Sequence, residues 1–224
     1  IFSYPSYQYL IESILDFGVR CTINVTLQDF LENLEKVRFK RFSIHLHFNI
    51  LMDKSSFIDS FQNLRTVKEK ISLTALVLSM EDHNFFSGKF KNELSDYSTQ
   101  IIPVFDENNL LFFENNVFMN QEDLENIKLT KREIFLNQTI NNNDFGKFTI
   151  LTDGSVYGNV NLEKLGTVEN SPYSIVFKEL TQGHAWRRIR DLKPCKDCLY
   201  QWLCPSPSNY ELVLGKSNLC HIKP

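Results

Sequence analysis

Four of the five cysteines lie in the last thirty residues of this 224-residue chain. Cys195, Cys198, Cys204 and Cys220 follow the spacing C-x2-C-x5-C-x15-C. Two residues between the first two thiolates let both sulfurs face one metal ion. Sets made only of thiolates select zinc or an iron–sulfur cluster over hard cations. The spacing therefore predicts one metal centre that is bound by all four cysteines.

The alternatives for these cysteines are a disulfide pair or thiols that are simply buried. Clustered C-x2-C spacing in a chain without secretory features favours metal binding over a disulfide. His184 and His221 are alternative ligands, although four thiolates already complete a tetrahedral set. The fifth cysteine, Cys21, has no cysteine near it and is interpreted as a buried apolar residue.

The composition limits the possible classes of protein. Hydrophobic residues make up 42% of the chain, enough for one substantial core or for a large and a small domain. A net charge of −3 gives no reason to expect nucleic acid or an anionic membrane as the main partner. No apolar run approaches the roughly 20 residues that span a bilayer. Cysteine usage favours a reducing, cytoplasmic location, and the start at Ile1, without an initiator Met, leads us to expect residues before it.

The first part of the chain has the alternating pattern of an α/β fold. Strands are predicted over residues 19–25, 42–48, 71–78 and 101–105, and helices over residues 6–17, 27–37, 55–67 and 90–97. Thr26 is the candidate N-cap of the second helix. Repeated βα units predict a parallel sheet with helices outside it.

The pattern changes near residue 141, where we place the domain boundary. Residues 108–120 are expected to form an insertion or a short hairpin, and residues 121–140 to be helical in their middle. Beyond Asn141–Asp144, residues 145–159 alternate around Asp153-Gly154, which predicts a β-hairpin. A helix is predicted over residues 174–190. The predicted domains are therefore residues 1–141 and residues 142–224.

The hairpin, a Trp-bearing helix and the cysteine segment together resemble the SPASM domain of radical SAM peptide-modifying enzymes. The segment Cys195-x2-Cys198-x-Tyr200-x3-Cys204, with Asn218-Leu219-Cys220, resembles the SPASM-domain peptide maturases of grasp-with-spasm systems. The close resemblance covers residues 145–224. The preceding strands resemble, at the level of the fold, the later part of the partial (β/α) barrel of radical SAM proteins.

The resemblance implies a role in maturing a ribosomally synthesised, post-translationally modified peptide. The implied partners are the precursor peptide and an ATP-grasp ligase that forms ester or amide links between side chains. The implied cofactor is one [4Fe–4S] cluster on Cys195, Cys198, Cys204 and Cys220, with zinc as the alternative.

The chain departs from the wider family at a second set of cysteines. The resemblance places further cysteines around the hairpin and at the position of Ser208, but the hairpin here carries Tyr157 and Asn159. By resemblance, the missing ligands belong to the first auxiliary cluster, and the four retained cysteines match the second. We therefore expect one auxiliary centre, with the space of the other refilled by the side chains of Tyr157, Pro207 and Tyr210.

The sequence also lacks the C-x3-C-x2-C motif that binds the SAM cluster. Only Cys21 lies in the barrel-like part, so SAM is not expected to bind this chain. We favour a non-radical member that presents the substrate. Two alternatives stay open: a catalytically active radical SAM enzyme whose cluster segment lies outside this sequence, and a zinc-ribbon interaction module. Catalytic residues are therefore not assigned.

Two further groups of side chains have both a functional and a simpler interpretation. His45 and His47 share one face of a predicted strand and could chelate a metal, but polar strand residues explain them as well. The Arg-rich segment 187–190, with Lys193, could hold acidic side chains of a peptide. A solvated helix C-terminus, where basic residues complement the helix dipole, is the alternative.

Overall fold

A computed structural model of the chain describes residues 2–33, 45–64 and 71–222. The chain divides into two compact units, Ile1–Phe113 and Glu114–Pro224. The first unit contains a four-stranded parallel sheet with alternating helices, and the second contains a small three-stranded antiparallel sheet. The predicted α/β class is therefore confirmed. The boundary predicted near residue 141 stays a prediction of where the metal-binding domain begins.

The parallel sheet of the first unit is formed by β1 Cys21–Thr26, β2 Leu46–Met52, β3 Ile71–Val77 and β4 Ser98–Pro103. The four strands lie side by side in the order β1-β2-β3-β4. The helices that alternate with them are Tyr7–Asp16, Leu27–Glu32, Lys54–Leu64 and Met80–Glu93. Thr26 caps the second of these helices, as predicted, because its hydroxyl accepts a hydrogen bond from the Asp29 amide at 3.1 Å.

One face of this sheet forms the core of the first unit. Alternate residues of β2 are buried, and these pack with the buried helix residues Ile11, Phe30, Phe57 and Phe86. Burial of these large aromatic and aliphatic side chains is the main source of stability for the unit.

The other face of the sheet carries a row of hydrogen-bonded polar side chains. His47 Nε2 lies 2.8 Å from Ser72 Oγ, and the hydroxyls of Ser72 and Thr74 each donate to Asn49 Oδ1 at 2.8 Å. Asn49 Nδ2 donates in turn to Asn24 Oδ1 at 2.9 Å. These contacts place His47 in a network across the strands, in agreement with its interpretation as a polar strand residue.

Two predicted elements of the first part were wrong. The helix predicted over residues 90–97 instead spans Met80–Glu93, because Ser79 caps its start and buried Phe86 and Phe90 lie one turn apart. The segment predicted as an insertion or hairpin contains the helix Leu110–Asn116, which buries Phe113. The predicted ends at residues 34–37, 42–44 and 65–67 lie outside the described residues.

The second unit is built from short elements. Its strands are β5 Thr149–Ile150, β6 Ser155–Tyr157 and β7 Gly166–Thr167, and its helices are Gln121–Asn126, Lys131–Asn137, Pro172–Thr181 and Asn209–Leu214, with a 3-10 turn at Cys195–Asp197. The predicted hairpin is confirmed: β5 and β6 pair antiparallel around Gly154, whose φ is +80°.

The helix predicted over residues 174–190 was too long. It ends at Thr181, and the chain turns back so that Glu179 Oε1 accepts a hydrogen bond from the Trp186 amide at 3.0 Å. Trp186 and the arginines that follow it therefore lie outside the helix. Among the described ranges, no helix is long and apolar enough to cross a membrane.

Candidate metal centre

The first three cysteines are placed by two consecutive turns of the second unit. The Cys198 amide donates to the Cys195 carbonyl at 3.0 Å, which closes a 3-10 turn. The Cys204 amide donates to the Tyr200 carbonyl at 3.1 Å. These turns bend the C-x2-C-x5-C segment back on itself, as a chelating loop requires.

The fourth cysteine reaches the same region through a short parallel bridge. Cys220 pairs with Met119, where the Met119 amide donates to the Leu219 carbonyl and the His221 amide donates to the Met119 carbonyl, both at 2.9 Å. The sequence pattern did not identify Met119, because a single bridge between distant segments has no local signature.

All four cysteines line one pocket of the second unit, whose cavity volume is about 20 Å³. Other lining residues are Met119, Leu124, Arg190, Gln201, Leu219 and Ile222. Within the described part of the chain, no group of three or more His, Cys, Asp or Glu side chains is arranged to hold a metal ion. The structure thus places the four cysteines around one pocket. Their binding of a metal stays a prediction.

Two N–H groups point at sulfur atoms of this pocket. The Ile222 amide donates to Cys220 Sγ at 3.3 Å, and Arg190 Nη1 lies 4.0 Å from Cys195 Sγ. Donors of this kind stabilise thiolates that bind zinc or iron. All five cysteines are free thiols in the structure. The side-chain types that line the pocket are therefore those that a thiolate-bound metal centre uses, although the described side chains are not positioned as a ligand set.

Burial and neighbouring thiols act together on Cys204. Desolvation raises the pKa of the Cys204 thiol to about 11, Cys220, Cys198 and Cys195 add to the rise, and Arg190 opposes it. Four thiolates in one pocket repel one another unless a cation is bound among them, and a bound metal ion keeps coordinating thiols deprotonated.

Comparison with known proteins adds no relative from which a role for this pocket could be inferred. The chain matches no family model, no curated protein and no solved structure.

The alternative histidine ligands do not line the cysteine pocket. His221 Nε2 lies 2.6 Å from the Glu114 carbonyl, and its ring packs on Phe118 with centroids 5.5 Å apart. His184 is exposed and lines a different cavity of the second unit.

The Arg-rich segment is mostly internal, contrary to both interpretations offered from the sequence. Arg188 Nη2 lies 3.4 Å from Asp144 Oδ2, and Arg190 Nη2 lies 2.8 Å from Glu211 Oε1. Their side chains are only 16% and 10% exposed. Arg187 is exposed and donates to the Leu180 carbonyl. Neither buried guanidinium is presented to solvent as a peptide-binding group would be.

A polar network joins the hairpin to the cysteine loop. It includes Asn159 and Ser208, which lie in the region where the resemblance places the further cysteines that this chain lacks. Asn159 Nδ2 contacts both oxygens of Asp144, at 3.1 and 3.0 Å, and lies 2.5 Å from Asn209 Oδ1. Ser208 Oγ donates to Glu211 Oε2 at 2.5 Å. Of the side chains expected to refill this space, Pro207 is buried, and its carbonyl accepts from Arg188 at 3.1 Å.

Asn137 and the asparagine run at residues 141–143 support the cysteine loop, which the sequence interpretation missed. Asn137 Nδ2 donates to the carbonyls of Trp202 and Cys204, at 3.1 and 3.2 Å. Asn141, which is fully buried, donates to the Pro207 carbonyl at 2.9 Å. Asn141–Asp144 was interpreted only as a turn or boundary, and Asn137 belonged to the segment expected to be helical in its middle. The three consecutive amides at residues 141–143 were a usable signal, because such side chains can donate hydrogen bonds to buried carbonyls.

Proposed function

We propose that the second unit holds one metal centre on Cys195, Cys198, Cys204 and Cys220. The single observation that carries this proposal is the convergence of all four cysteines on one pocket. Two N–H donors directed at Cys195 and Cys220 support it. Four thiolates complete a tetrahedral set and leave no open position, which favours a structural or electron-transfer centre over one that binds substrate.

We further propose that this centre is a [4Fe–4S] cluster and that the protein acts in the cytoplasm in peptide maturation. The support is the similarity of the cysteine segment to grasp-with-spasm maturases, in which the partners are a precursor peptide and an ATP-grasp ligase. The four-stranded parallel sheet is compatible with a partial radical-SAM-like barrel, and the hairpin with a SPASM-like domain. When bound, a [4Fe–4S] cluster supplies one-electron transfer, whereas zinc supplies folding energy.

In this proposal the protein presents the substrate rather than cleaving SAM. Its own residues build the site: turns position three cysteines, the bridge at Met119 positions the fourth, and apolar neighbours limit access of water. Nothing in this arrangement requires the protein to supply an acid or a base.

Metal analysis of anaerobically reconstituted protein tests the centre. We expect about four irons per chain for a [4Fe–4S] cluster, or about one zinc for a structural site. A count near eight irons, with two clusters distinguishable by electron paramagnetic resonance, would contradict the proposal of one site.

Co-expression tests the pathway. A precursor peptide and an ATP-grasp ligase of the kind that the resemblance implies are expressed with the wild-type protein, with Cys204→Ala, or with Cys21→Ala as the matched control. Each new ester or amide link removes one water, so the peptide mass counts the links. We expect links with the wild type and with Cys21→Ala, and few with Cys204→Ala. Equal linkage without this protein would refute the assigned role.

A further inference from the structure

Arg190 lies between the cysteine pocket and a buried carboxylate. Its Nε donates to the Pro205 carbonyl at 2.8 Å, and its Nη2 lies 2.8 Å from Glu211 Oε1. Its remaining terminal nitrogen, Nη1, lies 4.0 Å from Cys195 Sγ. The guanidinium is therefore held on two sides, and its third side faces the sulfur.

Glu211 is itself held in place. Its side chain is 5% exposed, and its Oε2 accepts hydrogen bonds from the Ser208 amide at 2.6 Å and the Ser208 hydroxyl at 2.5 Å. One carboxylate oxygen thus holds Ser208, and the other holds Arg190. This fixes the orientation of the guanidinium before any metal binds.

Arg190 is also distinguished by its charge. Of the described residues that line the cysteine pocket, it alone carries a positive charge. The nearby Lys193 is 81% exposed and pairs with Asp197 at 3.6 Å, so solvent screens it. A divalent cation with four thiolates carries a net charge of about −2, and a buried guanidinium offsets part of that charge.

We propose that Arg190 is a positioning and charge-compensating residue of the metal centre, and that Glu211 limits how much of its charge acts on the thiolates. This inference rests on the proposed metal centre. Two residues outside the cysteine motif thereby affect the metal affinity, in opposite directions. Removing the charge of Arg190 weakens metal binding, whereas removing the charge of Glu211 does not weaken it and can strengthen it.

Cobalt(II) titration of the metal-free protein under anaerobic conditions provides the test. The thiolate-to-cobalt charge-transfer band reports the number of sulfur ligands, and competition with a chelator gives the affinity. We expect Arg190→Gln to lower the affinity about 10- to 100-fold, the usual range for groups that hydrogen-bond metal ligands. Arg190→Lys, which retains the charge, restores part of that loss. Glu211→Gln binds at least as tightly as the wild type.

The outcomes separate this inference from the proposed function. If Arg190→Gln and Glu211→Gln weaken binding to the same extent, and Arg190→Lys restores nothing, the pair is only structural and the inference is overturned. If all variants bind like the wild type, the inference also fails while the metal centre stands. If the wild-type protein shows no thiolate-to-cobalt band, the metal centre and the inference fail together.

Discussion

Asn159 of the hairpin donates from one amide nitrogen to both carboxylate oxygens of Asp144, at 3.1 and 3.0 Å. Asn159 is 4% exposed and Asp144 is 7% exposed, so both polar groups are shielded from water. Arg188 approaches the same carboxylate at 3.4 Å. Hydrogen bonds therefore hold the hairpin against the chain that follows the asparagine run.

We predict that Asn159→Ala destabilises the second unit by ~1–3 kcal/mol, because the buried Asp144 carboxylate loses the hydrogen bonds from Asn159 and keeps only the longer contact with Arg188. Urea unfolding followed by near-ultraviolet circular dichroism measures this change. Asn161→Ala is the matched control, because that side chain is exposed and its loss should change stability by no more than about 0.5 kcal/mol.

The same variant separates the polar network from the metal centre. Metal content per chain should be unchanged in Asn159→Ala, since Asn159 does not line the cysteine pocket. A loss of metal equal to that of a cysteine variant would mean that the hairpin contributes to the centre.

We predict that Cys220→Ala removes the metal and lowers the thermal stability of the second unit, because binding energy at such a site is also folding energy. Metal analysis and thermal unfolding of the holo protein measure both effects. Cys21→Ala, in the first unit, should keep the full metal content.

His221→Ala extends this test to the neighbouring residue. The His221 ring contacts the Glu114 carbonyl and Phe118, so its removal should leave the metal in place. If Cys220→Ala retains its metal while His221→Ala loses it, the fourth ligand has been misassigned.

We predict that this chain does not cleave SAM. A site-differentiated cluster needs three thiolates on one cluster, and Cys21 is the only cysteine before residue 195. Incubation with dithionite and SAM should yield no 5′-deoxyadenosine above the level of a Cys195→Ala control. Turnover above that background would show that a SAM-binding cluster forms on this chain.

We predict that Gly183→Ala destabilises the second unit. A Cβ at this position would overlap Glu179 Oε2 and lie 2.8 Å from the Glu179 Cα, and the backbone atom cannot move aside cheaply. Displacing the Glu179 carboxylate also breaks its hydrogen bond with the Trp186 amide. The midpoint of urea unfolding should fall.

Gly88→Ala provides a comparison of opposite sign. Gly88 lies in the helix Met80–Glu93, and nothing lies within 4 Å of the place that a Cβ would occupy, so alanine improves helix propensity without a clash. The first unit should gain about 0.5–1 kcal/mol. If both glycine variants shift stability in the same direction, crowding at Glu179 does not explain the effect of Gly183→Ala.

Local patterns were sufficient for much of the fold. The sequence identified the strands that begin near Cys21 and Ile71, the second of them as a largely apolar run, and Asp153-Gly154 identified the hairpin. These predictions succeed because the spacing of apolar side chains and the residue types of a tight turn depend only on residues close together in the chain. The position of the helix Met80–Glu93 was predicted wrongly because most of its residues are polar. Only a few apolar residues, among them Phe86 and Phe90, form its buried face.

The candidate site also has features that local sequence predicts and features that only tertiary packing decides. The spacing of Cys195, Cys198 and Cys204 is local, so the sequence was enough to predict a chelating loop. The return of Cys220 beside Met119 and the pairing of Arg190 with Glu211 join residues far apart in the chain. Those contacts form only when the second unit packs, since burial makes each unpaired carboxylate, guanidinium and amide costly and so selects the partners that satisfy them.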